Sequence, residues 1–136
     1  MKEVVKVLAL REGQAVLIRQ YRKQRRSYTI ELPGGKVEPG EEAEKAAQRE
    51  LREETGFSAA KLLPLGAYVN SSGNVRARLF FANTVSEGGG QQLDADEEIE
   101  VILAPIHEVT RRIYTGEWSD LRLGLAVAVA RSMKLI

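Results

Sequence analysis

The sequence contains no cysteine, which excludes disulfides and thiolate-held metal sites and fits a reducing compartment. Charge of one sign is also lacking. Twenty basic residues against nineteen acidic ones leave +1, too little to draw the chain onto a nucleic-acid track or a membrane surface. Aromatics are 6% of the chain, with one tryptophan, and there are four prolines. No apolar run approaches the roughly 20 residues of a spanning helix. The opening "MKEVVKVLALREGQ" has an apolar stretch too short for a signal peptide, and acids interrupt it. What remains is 136 residues, 43% hydrophobic and 29% charged, sized for one domain over residues 1–136 with a core of its own. The expected setting is cytoplasmic, with no membrane partner.

Hydrophobic patterning orders the chain. "EVVKVLALREGQAVLIRQYR" predicts two strands around a turn at Arg11–Gly13. "SYTIEL" predicts a third, ended by "PGG", and "KVEPGE" reads as a loop. A helix follows from about Glu41 to Thr55, with Gly56 where a helix-terminating glycine belongs. "KLLPLGAYVN" and "VRARLFFANTV" are strands joined by "NSSGN". "SEGGGQQLDADE" is polar, Gly-rich and expected to be mobile. After the strand "EIEVILA", Pro105 opens a short helix to about Tyr114, and "SDLRLGLAVAVARSMKL" is a final helix. Strands first, one helix in the middle and helices last predict an α/β fold, a sheet packed between helices.

The middle helix is anomalous. Gly34–Phe57 holds seven glutamates. With Ala43 at zero and about 100° per residue, Ala47, Leu51 and Ala46 fall near about 40°, 80° and 300°, an apolar stripe. Glu50 at about 340° and Glu54 at about 20° lie inside that stripe, with Glu53 at its edge near about 280°. Lys45, Gln48 and Arg52 take the opposite face. Carboxylates in a buried face are costly unless paired. One reading is a solvated groove, or pairing with Arg49 and nearby bases. The other is a hard-cation site, since clustered carboxylate oxygens suit Mg²⁺ or Mn²⁺. No His or Cys is near, which argues against zinc.

Spacing decides between them. From Gly35, five residues lead to Glu41, and seven more to "RELREETGF", Arg49 to Phe57. This resembles the Nudix hydrolase signature at every fixed position: Gly35, Glu41, Arg49, Glu50, Leu51, Glu53, Glu54, Gly56 and Phe57. The resemblance implies a Nudix-type α/β/α sandwich with a mixed central β-sheet, and a pyrophosphohydrolase that takes Mg²⁺, with Mn²⁺ as a substitute. It implies that Glu50, Glu53, Glu54 and the Gly34 carbonyl hold the ions. Catalysis would rest on Glu53, Glu54 and Arg49, which would orient the carboxylates by pairing with one of them. Glu41, on the outer face, would join loop to helix.

"VLIRQYR", "IELPGGKVEPGE" and "DEEIEV" are similar to the ADP-ribose and nucleotide-sugar pyrophosphatase branch. That similarity implies Arg22 and Glu31 as substrate-binding residues and Glu97, with Glu98 as the alternative, as a catalytic acid on the Gly-rich loop, acting as general base. Arg78, alternating with Arg76 on one strand face, is a further phosphate-contact candidate. The branch often has Trp before its "ELPAG"; here Ile30 stands in that place, and Tyr28 on the same strand face is the candidate replacement. The turn "NSSG" has no proline where ADP-ribose enzymes often carry one, and the chain begins almost directly with the core fold, which leaves a homodimer open. His107 is expected at the surface, and Trp118 with Tyr114 is expected to cap the packing of the last two helices.

The partner implied is a small-molecule nucleotide, most simply ADP-ribose cleaved to AMP and ribose 5-phosphate. A triphosphatase acting on an oxidised or non-standard nucleotide is the alternative, favoured by Ile30. RNA 5′-end hydrolysis has little support at this charge. A non-catalytic nucleotide-binding regulator is the remaining option, opposed by the intact glutamates.

Overall fold

From Val4 to Leu10 the first strand is apolar except for one lysine, the pattern of a strand covered on both faces. In the computed structural model, which describes all 136 residues, that run is central. Strands β1 (Lys2–Arg11), β2 (Gln14–Arg22), β3 (Ser27–Glu31) and β4 (Gly34–Lys36) precede helix α1 (Ala43–Thr55). Then follow β5 (Phe57–Ser58), β6 (Leu63–Val69), β7 (Val75–Ala82), β8 (Ser86–Glu87), β9 (Ile99–Pro105), α2 (Ile106–Tyr114) and α3 (Leu121–Ser132).

The main sheet runs β3-β2-β1-β7-β6, with β4 added to β1 and β9 to β2. β1 and β7 are parallel and the other neighbours antiparallel, so the sheet is mixed. β1 and β2 pair only beside their turn, at Leu10↔Ala15 and Arg11↔Gln14. Beyond that they part. β1 goes on with β4, and β2 with β3 and β9. The sheet therefore splits, and the split opens the space in which the polar site lies.

Helices cover both faces. Ala46, Ala47 and Leu51 of α1 pack on Val5, Val7, Ala9 and Val16. Val109 of α2 and Leu123, Ala126, Val127 and Ala130 of α3 pack on Leu8, Leu10 and Leu17. This is the expected α/β/α sandwich. Each fully buried leucine contributes on the order of 2 kcal/mol through the apolar area it removes from water.

Some expectations are corrected. Gly34–Lys36 is a strand on β1 where a loop was read. Helix α1 starts at Ala43, with extended Glu42 as its N-cap. Inside the segment read as mobile, β8 pairs with β5. Trp118 packs on the core, but Tyr114 is 92% exposed and takes no part in that packing. His107 is exposed as expected. No helix is long and apolar enough to cross a membrane.

Candidate active site

Helix α1 presents its acidic stripe to the split. Leu51 and the two alanines anchor the helix to the sheet, and Gly56 ends it with φ 78°, a left-handed conformation that suits glycine. Glu54 is 6% exposed, while Glu50 and Glu53 are progressively more open, in the order that the helical wheel placed them. All three line a cleft of about 790 Å³.

Arg49 organises the rim of that cleft. Its Nε and Nη2 donate to Glu41 at 2.8 and 3.0 Å, and Nη1 donates to Glu50 at 3.0 Å and Glu53 at 3.3 Å. It also holds the Lys36 carbonyl at 3.1 Å. Glu41 in turn accepts from the Glu38 N–H at 3.0 Å, so it fastens loop to helix. Glu54 Oε1 accepts from the Gly34 N–H at 2.8 Å. Burial pushes the Glu54 carboxyl up to about 7, against the pull of the Gly34 hydrogen bond and the Lys6 charge. Burial also raises Glu50, which Arg49 only partly offsets. A β-carbon at Gly35 would come within 2.6 Å of the Glu50 carboxylate, so glycine is what lets β4 lie against that acid.

A second polar network comes from β3. Arg22 grips Glu31 bidentately, Nε to Oε2 at 2.8 Å and Nη2 to Oε1 at 2.7 Å. The Thr29 hydroxyl donates to Glu31 Oε2, and Lys6 Nζ lies 3.5 Å from Oε1. Burial alone would raise Glu31. The Arg22 hydrogen bonds, the Lys6 charge and Thr29 outweigh it and hold the carboxyl down at about 2.

The segment after β8 is tied to the end of α1. Gly88 and Gln92 N–H groups donate to the carbonyls of Gly56 and Glu53, and the Gln91 side chain bridges the Glu54 and Ile99 carbonyls. This brings Glu97 to the cleft, where Oε1 accepts from the Asp94 N–H at 2.9 Å. Glu98 is not at the cleft wall.

The structure does not gather every expected residue here. Arg78 lies outside the cleft, its Nε 3.5 Å from Glu3, which also pairs Arg76 at 2.9 Å. Strand alternation sends Thr29 and Glu31 toward the carboxylates and Tyr28 with Ile30 into an adjoining cleft of about 320 Å³ that Trp118 also lines. There Arg19 stacks over the Tyr28 ring at 3.7 Å. Lys6 was missed. Its signal was present, a single charge within "VVKVLAL".

No three carboxylates converge on one point in this structure; Arg49 Nη1 bridges Glu50 and Glu53, and Glu54 is turned to the Gly34 N–H. The donor set nevertheless fits a hard cation. Its side-chain donors are all oxygen, Gly34 lines the same cleft, and two of the acids are buried without full counter-charge.

A family model described as the NUDIX domain matches residues 2–123. An ADP-ribose pyrophosphatase of Bacillus subtilis (strain 168) is 35% identical over 127 residues, covering 90% of this chain and 69% of that protein. A protein named putative 8-oxo-dGTP diphosphatase from the same organism is 38% identical over 92 residues, covering 67% and 58%. Among solved structures, one titled as an ADP compounds hydrolase superposes with a TM-score of 0.86 at 23% identity, covering 97% of this chain and 72% of that one. That last likeness concerns the fold.

Proposed function

This chain belongs to the NUDIX-domain family of hydrolases, and on that premise we propose that it cleaves the diphosphate bridge of a nucleotide sugar, ADP-ribose being the first to try. Residues 1–136 act as one catalytic domain, in a cytoplasmic setting. The observation that carries the reading is the meeting of the Arg22–Glu31 pair with the α1 glutamates and Glu97 in one cleft. The likeness to an ADP-ribose pyrophosphatase supports the same branch.

Nudix hydrolases use divalent cations. Mg²⁺, with Mn²⁺ as a substitute, would be held by Glu50, Glu53, Glu54 and the Gly34 carbonyl, and when bound would activate water and neutralise charge on the phosphoryl oxygens. Arg49 keeps Glu50 and Glu53 oriented. Arg22 contacts the diphosphate or the terminal ribose, prealigned by Glu31. Glu97 accepts the proton of the attacking water. Water oxygen bonds to one phosphorus, the bridging P–O bond breaks, and the products are AMP and ribose 5-phosphate.

A second reading, hydrolysis of an oxidised or non-standard nucleoside triphosphate, is supported by Ile30 in place of tryptophan and by the likeness to a putative 8-oxo-dGTP diphosphatase. The deciding experiment is phosphate release in Mg²⁺ from ADP-ribose and from a panel of triphosphates, with a phosphatase added to reveal cleaved sugar nucleotides. Turnover of ADP-ribose supports the first reading, and turnover confined to triphosphates replaces it with the second. No turnover of any nucleotide would remove both.

A further inference from the structure

Lys6 is the one charged residue among the apolar side chains of the central strand, and it is 6% exposed. Its amine donates to the Leu32 carbonyl at 3.1 Å and to Glu31 at 3.5 Å. An ammonium has three donors, so one is left, and the residue lines the carboxylate cleft. Its stem passes beneath Gly34, where a β-carbon would stand 2.8 Å from Lys6 Cδ. The same β-carbon would collide with the Val5 carbonyl, so glycine here serves first the close pairing of β4 with β1 and with it the passage of the lysine stem.

Charge makes the arrangement unusual. Glu31 carries one negative charge and faces two cations, and Arg22 already occupies it bidentately. Glu31 is thus saturated by Arg22, and Lys6, whose other acidic neighbour is Glu54, keeps a donor for an anion that enters the cleft. A cation fixed by packing also gives up little freedom when a ligand arrives. Other bases that line the cleft, such as Lys2 and Arg25, are exposed.

We infer that Lys6 is a substrate-binding residue: its ammonium, together with the Arg22 guanidinium, forms a two-cation floor that takes a phosphoryl group of the diphosphate without help from the glutamates of α1. This rests on the reading of the cleft as a diphosphate site, and it names which buried charge selects that group.

The test uses inorganic pyrophosphate as probe, with EDTA present, so that ion binding at α1 does not enter. Titration calorimetry should show binding to the wild type and at least about tenfold weaker binding to Lys6→Met. Lys6→Gln, which keeps a donor for the Leu32 carbonyl but not the charge, should weaken it likewise. In Mg²⁺ both variants should raise KM for ADP-ribose far more than they lower kcat, as loss of uniform binding does. In the wild type, the ¹⁵N resonance of the Lys6 amine should move when pyrophosphate is added. Affinity within twofold in the variants, no metal-free binding in the wild type, or an unmoved Lys6 resonance would each overturn the assignment. A wild type that binds pyrophosphate through Lys6 yet hydrolyses no nucleotide would count against the proposed activity alone.

Discussion

Glu54 Oε1 accepts a hydrogen bond of 2.8 Å from the Gly34 N–H, joining the most buried acid of α1 to the short strand β4. That contact fixes the acid's position without cancelling the cost of its burial, so its carboxyl sits at about 7 and not in the usual range. In the metal-free protein this favours the protonated form. Stability from Glu54 is present in full below about pH 4.5 and is lost as pH rises through about 7.

Glu54→Gln should therefore stabilise the metal-free protein at pH 8.5, by on the order of 1–3 kcal/mol, because glutamine still accepts from Gly34 and carries no charge. Turnover should fall at least about a hundredfold. Denaturant unfolding in EDTA and steady-state kinetics in Mg²⁺ check the two halves. In wild type, Mg²⁺ binding should release a proton near neutral pH, seen by calorimetry in buffers of different ionisation heat.

Glu31 behaves oppositely. Held at about 2 by Arg22, Lys6 and Thr29, it contributes stability that is present above its ordinary pKa and lost as pH falls from about 4.5 toward 2. Glu31→Gln should flatten the acid limb of a stability-versus-pH profile measured by urea unfolding. An unchanged limb would mean that the Arg22 pair carries no weight in folding.

Gly35→Ala is expected to leave the fold intact and damage the cation site. The added carbon meets the Glu50 carboxylate at 2.6 Å and must displace it. Mn²⁺ affinity, followed by electron paramagnetic resonance of the free ion, should drop about tenfold or more, while the melting temperature in EDTA changes by only a few degrees.

Glu97→Gln should lower kcat by about a hundredfold with KM nearly unchanged, the mark of a proton acceptor used in the chemical step. Glu98→Gln, away from the cleft wall, should retain nearly full activity.

The long elements were readable because their patterns are long. β1, β2, β9 and α3 declare themselves as long apolar runs and α1 by its helical stripe, and the acids on the wrong face of α1 point to the cleft. The short strands β4, β5 and β8 were not readable, because two or three residues hold a strand only through the partner that the fold supplies. For Arg78, strand alternation gives a face but not the neighbours on it; β7 puts that face over Glu3. Tyr28 and Ile30 share one face of β3, and Glu31 marks the other face, which looks onto the carboxylate cleft. Lys6 is legible in the sequence only as an isolated charge, because a pattern along one strand cannot tell which carboxylate on another strand an amine will meet.

The alternation on β3 has a consequence for how this gene can change. Glu31 serves one cleft and Tyr28 with Ile30 the other, Thr29 lies between them and lines both, and each is set by pairing with β2 at positions such as Ile18↔Glu31 and Tyr21↔Tyr28. Deleting a single codon within this strand would exchange the two sets, turning an isoleucine toward the glutamates and the acid toward Trp118. Point substitutions here alter one contact at a time; a length change of odd parity swaps the contents of both clefts at once.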